Sequence, residues 1–147
     1  MPTSKPRVFL DSNVIISGLY SPQGASGAIL ERFIKGGINV VVSQQVLEEV
    51  IRIIKEKLPE ALPTLKSLLV SMPPEVITDP KLEDIKRWTR RVSVADAAVL
   101  TAAMLAKPDY FVTGDNHFIE NSDISEETGL RIVTPAQLLK LTEREAA

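Results

Sequence analysis

Five short stretches of this chain are almost continuously apolar, and longer amphipathic segments separate them. Arg7-Val8-Phe9-Leu10 predicts a first strand that stops at Asp11, and Ile38-Asn39-Val40-Val41-Val42 a second, rich in β-branched residues. Val76-Ile77 predicts a short third strand, Tyr110-Phe111-Val112 a fourth and Leu130-Arg131-Ile132-Val133 a fifth. Unbroken apolar runs, rather than alternation, are expected where both faces of a sheet are covered.

The intervening segments carry helix signals. Ala25 to Lys35 predicts a helix closed by Gly36-Gly37, and Gln44 to Leu58 another opened by Ser43 as a cap. Asp79 followed by Pro80 suggests a cap-then-proline start for a helix to Arg90. Val94 to Ala106 is helical up to Lys107-Pro108, and Leu62 to Val70 forms a further aliphatic helix. Thr134-Pro135-Ala136-Gln137 opens the last helix, whose end from Glu143 to Ala147 is expected to fray. Strands alternating with helices predict parallel βαβ units. The fold class is therefore α/β: a single domain over residues 1–147, built as a parallel β-sheet sandwiched by helices.

Composition narrows the chemistry. With no cysteine among 147 residues, disulfides and thiolate sites are excluded and a reducing cytoplasm is the expected setting. Met1 to Arg7 lacks the apolar run of a signal peptide, and no apolar stretch is long enough to span a bilayer. The 17 basic and 19 acidic side chains give a net charge of −2, which disfavours nonspecific coating of nucleic acid. A metal-dependent nuclease stays open, because a bound cation reverses the local sign of an acidic pocket.

Ligands of open α/β sheets bind beyond the carboxyl ends of the strands. Polar residues predicted there are Asp11-Ser12-Asn13 after strand one, Ser43 with Glu48-Glu49 after strand two, and Thr113-Gly114-Asp115-Asn116 after strand four. Asp96 sits in the first turn of the helix that leads into strand four. Helix phase separates Glu48 from Glu49 only narrowly: Glu49 lies about 40° and Glu48 about 60° outside an apolar arc of roughly 160°. Each acid also has an ordinary structural role: Asp11 and Asp115 as caps, Asp96 within the capping box that Ser93 opens, Glu49 as a solvated flank. Taken together they are harder to explain that way. Two carboxylates about 5 Å apart repel by roughly 3 kcal/mol at an effective dielectric near 20, so four on one sheet edge need protons or cations. Oxygen-only ligation suits Mg²⁺ or Mn²⁺ rather than structural zinc.

Val8-Phe9-Leu10-Asp11-Ser12-Asn13, Ser43 to Val50, Val94 to Leu100 and Val112-Thr113-Gly114-Asp115 together resemble the PIN-domain ribonucleases, nearest the VapC-like toxins of toxin–antitoxin systems. The resemblance covers nearly the whole chain. It implies metal ligands at Asp11, Asp96 and Asp115, a fourth catalytic acid at Glu49, and supporting polar groups at Asn13, Ser43, Ser93 and Thr113. The function it implies is Mg²⁺- or Mn²⁺-dependent hydrolysis of phosphodiester bonds in single-stranded RNA, with an antitoxin partner and a homodimer. One departure stands out: many relatives carry another aspartate about three residues before Asp96, where this chain has Arg91-Val92-Ser93-Val94-Ala95. That departure sustains an alternative, a degenerate PIN module that binds RNA or protein without catalysis. A small-molecule phosphohydrolase of the aspartyl-phosphate kind fits less well, because Asn13 stands where it needs a second aspartate.

The remaining candidates read structurally. His117, the single histidine, excludes paired-histidine mechanisms and reads as a loop residue near Asp115. Lys86-Arg87-Trp88-Thr89-Arg90-Arg91 reads as a solvated helix face with Trp88 turned inward, or as a surface that tracks a nucleic-acid strand. Gly24 and Gly27 make no phosphate loop, since no Lys-Ser/Thr follows them.

Overall fold

A computed structural model of the chain describes residues 5–146, and within that range the side chains of Ser122 and residues 144–146 are left undescribed. Among the described residues, β1 (Arg7–Leu10), β2 (Asn39–Ser43), β3 (Glu75–Ile77), β4 (Tyr110–Val112) and β5 (Ile132–Val133) form one sheet. Its order is β3-β2-β1-β4-β5, and every neighbouring pair is parallel. Val8, Phe9, Leu10, Val41, Val42, Phe111 and Val112 are essentially inaccessible to solvent, which is why consecutive residues of these strands had to be apolar. At the β3 edge only one side needs covering, and Glu75 and Val76 are exposed.

The helices are α1 (Ser12–Tyr20), α2 (Ala25–Ile34), α3 (Gln44–Lys57), α4 (Leu62–Ser71), α5 (Leu82–Lys86), α6 (Val94–Ala106), α7 (Asn116–Ile119), α8 (Ser122–Thr128) and α9 (Pro135–Ala146). A 3-10 turn at Pro59–Ala61 joins α3 to α4. α1 packs on α2 and α3, α2 on α9, and α6 against β2. No helix is long and apolar enough to cross a membrane among the described residues.

Three expectations need correction. Asp79 does not open α5. Its Oδ1 accepts from the Gln45 N–H at 2.9 Å, so it caps α3 from across the sheet edge, while Lys81 begins α5 without a side-chain cap. The helix expected to reach Arg90 stops at Lys86 and continues as tight turns, with Trp88 N–H on the Ile85 carbonyl and Arg91 N–H on that of Trp88. These turns carry the Trp88 ring into the core, where it is 6% exposed. Strand five is shorter than predicted, because Gly129 ends α8 in the left-handed region at φ 74° and Leu130 is spent on packing rather than pairing. α9 is helical to Ala146; Ala147, the last residue of the stretch expected to fray, lies outside the described residues, as do Met1 to Ser4 of the N-terminal segment.

Candidate metal and nuclease site

β1 and β4 lie side by side in register, Leu10 opposite Val112, so Asp11 and Thr113 leave the sheet together at its carboxyl edge. Asp11 is buried, at 6% exposure, and its carboxylate collects three donors. The Ser12 N–H gives to Oδ1 at 2.8 Å, and the Thr113 hydroxyl and the Asn13 amide give to Oδ2 at 2.9 and 3.2 Å. Asn13 also accepts the Gly114 N–H at 2.9 Å, which ties the loop after β4 onto α1. A Cβ on Gly114 would sit 3.4 Å from Asn13 Oδ1, in ordinary van der Waals contact.

Two short bridges extend the cluster. The Ser12 hydroxyl donates to Glu49 Oε2 at 2.9 Å and lies 3.5 Å from Asp11 Oδ1, so one side chain connects both acids. Thr113 Oγ1, besides donating to Asp11, accepts the Asp115 N–H at 3.0 Å. Glu49, not Glu48, turns to the site: Glu49 is half-buried and Glu48 exposed. On the far side Asp96, Asp115 and His117 each bring one ligand atom within 4.8 Å of the others. His117 Nδ1 stands 3.4 Å from Asp115 Oδ1 and 3.8 Å from Asp96 Oδ2. The four acids expected from the sequence thus form one connected series: Glu49, Ser12, Asp11, Thr113, Asp115, His117, Asp96.

The capping roles hold at the same time. Asp11 and Asp115 precede α1 and α7 and accept from the Ser12 and His117 amides. Ser93 Oγ accepts the Asp96 N–H at 3.1 Å. Ser43 caps α3, its Oγ accepting the Val46 N–H at 3.2 Å, and hydrogen-bonds to none of the four acids among the described residues. Two contributors went unassigned in the sequence. Ser12 looks like any first-turn serine, and its only signal was its place between Asp11 and the helix facing Glu49. His117 read as a loop residue because nothing in the sequence shows Asp96 arriving beside it from α6.

Electrostatically the cluster is costly. Burial raises the Asp11 pKa to about 6; the Thr113 hydroxyl and Ser12 amide pull it down, and Glu49 and Asp115 push it further up. No lysine or arginine pairs with Asp11, Glu49, Asp96 or Asp115 among the described residues. An ionised carboxylate has about four lone-pair sites. The three donors on Asp11 therefore leave room for one more electropositive partner. The donor set, carboxylate oxygens with one imidazole at the edge, fits a hard divalent cation better than a soft one. The residues present fit such an ion.

Comparison with known proteins identifies the family and the fold. A family model described as PIN domain matches residues 7–117, the span from β1 to the His117 turn. No curated protein matches the chain. Among solved structures, PAE2754 from Pyrobaculum aerophilum is similar at 20% identity and a TM-score of 0.65, over 95% of this chain and 90% of that one. VapBC2 from Rickettsia felis, solved bound to a DNA fragment from its promoter, is similar at 15% identity and a TM-score of 0.62, over 87% and 98%. A toxin–antitoxin complex from Klebsiella pneumoniae is similar at 18% identity and a TM-score of 0.59, over 87% and 97%. At these identities the solved structures establish the shared fold, and the family model establishes membership: the chain belongs to the PIN domain family, whose members are generally nucleases.

Proposed function

We propose that this protein is a divalent-metal-dependent endoribonuclease acting on single-stranded RNA, and the toxin half of a toxin–antitoxin pair. The observation that carries the catalytic part is the buried Asp11, joined through Ser12 to Glu49 and through Thr113 to Asp115, with no basic side chain to neutralise it. Asp11, Asp96 and Asp115 would hold Mg²⁺ or Mn²⁺, with His117 at the rim. When bound, the cation supplies a water of lowered pKa and neutralises the scissile phosphate.

The chain's own groups have distinct tasks. Ser12 N–H, Thr113 O–H and Asn13 N–H fix the Asp11 carboxylate, so its orientation costs nothing on binding. Glu49 takes the proton of the attacking water as general base, and the Ser12 hydroxyl holds it in place. The bond between phosphorus and O3′ breaks, leaving a 5′-phosphate and a 3′-hydroxyl whose proton comes from solvent. Asn13 and Thr113 set the distance between the loops after β1 and β4, while Ser93 holds the first turn of α6 and with it Asp96.

Two of the similar structures are toxin–antitoxin complexes, which supports a toxin role, an antitoxin partner and a cytoplasmic target. The decisive assay is cleavage of a labelled single-stranded RNA beside a generic phosphomonoester. Mg²⁺ or Mn²⁺ should support RNA cleavage with 5′-phosphate ends and leave the monoester untouched. Cleavage that persists in excess EDTA contradicts the mechanism, and loss of the monoester would favour a small-molecule phosphohydrolase.

A further inference from the structure

Next to the acids lies an open cavity of about 380 Å³, lined by Arg90, Arg91, Ser93, Asp96, His117 and Asn121. Its charges are of both signs, and neither arginine forms an ion pair with Asp96 among the described residues. Asp96 stands at the start of α6, whereas the two arginines come from the turns that replace the end of α5. Arg91 is already engaged by Glu127 of α8. Arg90 is exposed and has no carboxylate partner among the described residues, although Asp96 lines the same cavity. Ser93 accepts the Asp96 amide through Oγ, and its own proton is uncommitted among the described residues.

A cavity lined by a guanidinium with no carboxylate partner and by a carboxylate whose basic neighbour, among the described residues, is the His117 imidazole at 3.8 Å suits a ligand that is anionic and meets a cation. A phosphodiester has that character, and its two terminal oxygens match the fork of a guanidinium. We infer that this cavity is a backbone subsite for the nucleic-acid strand, in which Arg90 grips a phosphate flanking the one to be cleaved. Arg91, fixed by Glu127, forms the wall behind it. The placement follows from Trp88: turning its ring into the core brings the chain tightly round and presents the two arginines beside the α6 N-terminus. The exposed Lys86 and Arg87 precede them. Contacts of this kind carry no base information, so Arg90 contributes affinity for any sequence. This inference rests on the nuclease reading above.

The test is fluorescence anisotropy with a labelled single-stranded oligoribonucleotide, in EDTA so that the RNA stays intact, between about 50 and 200 mM salt. Arg90→Ala should weaken binding about tenfold at the low-salt end, alike for unrelated sequences. The slope of log affinity against log salt should flatten by about 0.7, the share of one phosphate contact on a single strand. Arg90→Lys, which keeps the charge but not the fork, should restore the slope and only part of the affinity. Lys35→Ala, at the end of α2 where Lys35 pairs with Glu31, should bind as wild type. Equal melting temperatures across the variants establish that the fold is retained. Wild-type affinity and slope in Arg90→Ala, or no RNA binding by the wild type in EDTA, overturns the subsite. If the wild type cleaves RNA and Arg90→Ala binds normally, the subsite alone fails. If binding depends on Arg90 but no metal-dependent cleavage occurs, the nuclease reading fails and a strand-binding surface remains.

Discussion

At the scale of single residues, Asp11 sets the energetics of the site. The sequence argument put mutual repulsion first, but in the structure the largest cause of its raised pKa, about 6, is burial, with Glu49 and Asp115 adding less. The sign of the pH effect follows. A carboxyl whose folded pKa lies above its unfolded value contributes stability below the unfolded pKa and loses it as pH rises through the folded one. Metal-free protein should therefore lose roughly 2–3 kcal/mol through Asp11 between about pH 4 and pH 7. Asp11→Asn removes that loss. It should melt above wild type in EDTA near pH 8, by the equivalent of roughly 1–3 kcal/mol, and converge with it near pH 4–5. Thr113 can accommodate the new amide by rotating its hydroxyl to accept. Mn²⁺ should raise the wild-type melting temperature more than the mutant's. Thermal melts at the two pH values decide, and a mutant that melts lower at pH 8 refutes the account. Asp11, Asp96 and Asp115 were legible because an acid at a strand end or in a first helical turn stands out. Helix phase favoured Glu49 over Glu48 only narrowly, and the family resemblance made the choice; in the structure Glu49 is the half-buried one of the two. Ser12 was hidden because its hydroxyl matters only through a helix that starts more than thirty residues later.

At the scale of elements, the corner between α1 and α2 holds the first acid in place. A Cβ on Gly27 would fall 2.1 Å from the Pro22 carbonyl oxygen, and one on Gly18 would meet Leu30 Cδ1 at 2.6 Å. The first is a backbone clash that no rotamer relieves, so Gly27→Ala should cost about 2–3 kcal/mol. Gly24→Ala, whose Cβ would lie 3.5 Å from the Ser21 carbonyl oxygen, should stay within about 0.5 kcal/mol of wild type. Urea unfolding of both variants checks this; equal midpoints would remove the packing role of Gly27. In the sequence Gly27 was one of two loop glycines with nothing to rank them, since the clashing partner is backbone. Strands β1 and β4 were read correctly because central parallel strands are apolar throughout. α8 was missed: its sequence is polar, and among its described side chains Ile124 alone is buried. Asp79 was misassigned for a related reason, because a free helix N-terminus accepts a cap from any nearby chain, and here α3 took it.

At the scale of the molecule, the expected homodimer is a matter of surface rather than site. Val70 on α4 and Tyr20 at the end of α1 are 83% and 75% exposed, two apolar side chains that a second copy would cover. Sedimentation at tens of micromolar should give twice the 16.1 kDa chain mass, and a pure monomer would refute it. The strand order β3-β2-β1-β4-β5 carries a further consequence, one of timing. The partner of β1, β4, and the Thr113-Gly114-Asp115 loop follow it about a hundred residues later in the chain. At roughly 5–20 residues per second, Asp11 is made about 5 s or more before Thr113, the one distant group that orients it. The acid cluster is therefore assembled by long-range pairing of β1 with β4, and no local segment of the chain can complete it alone.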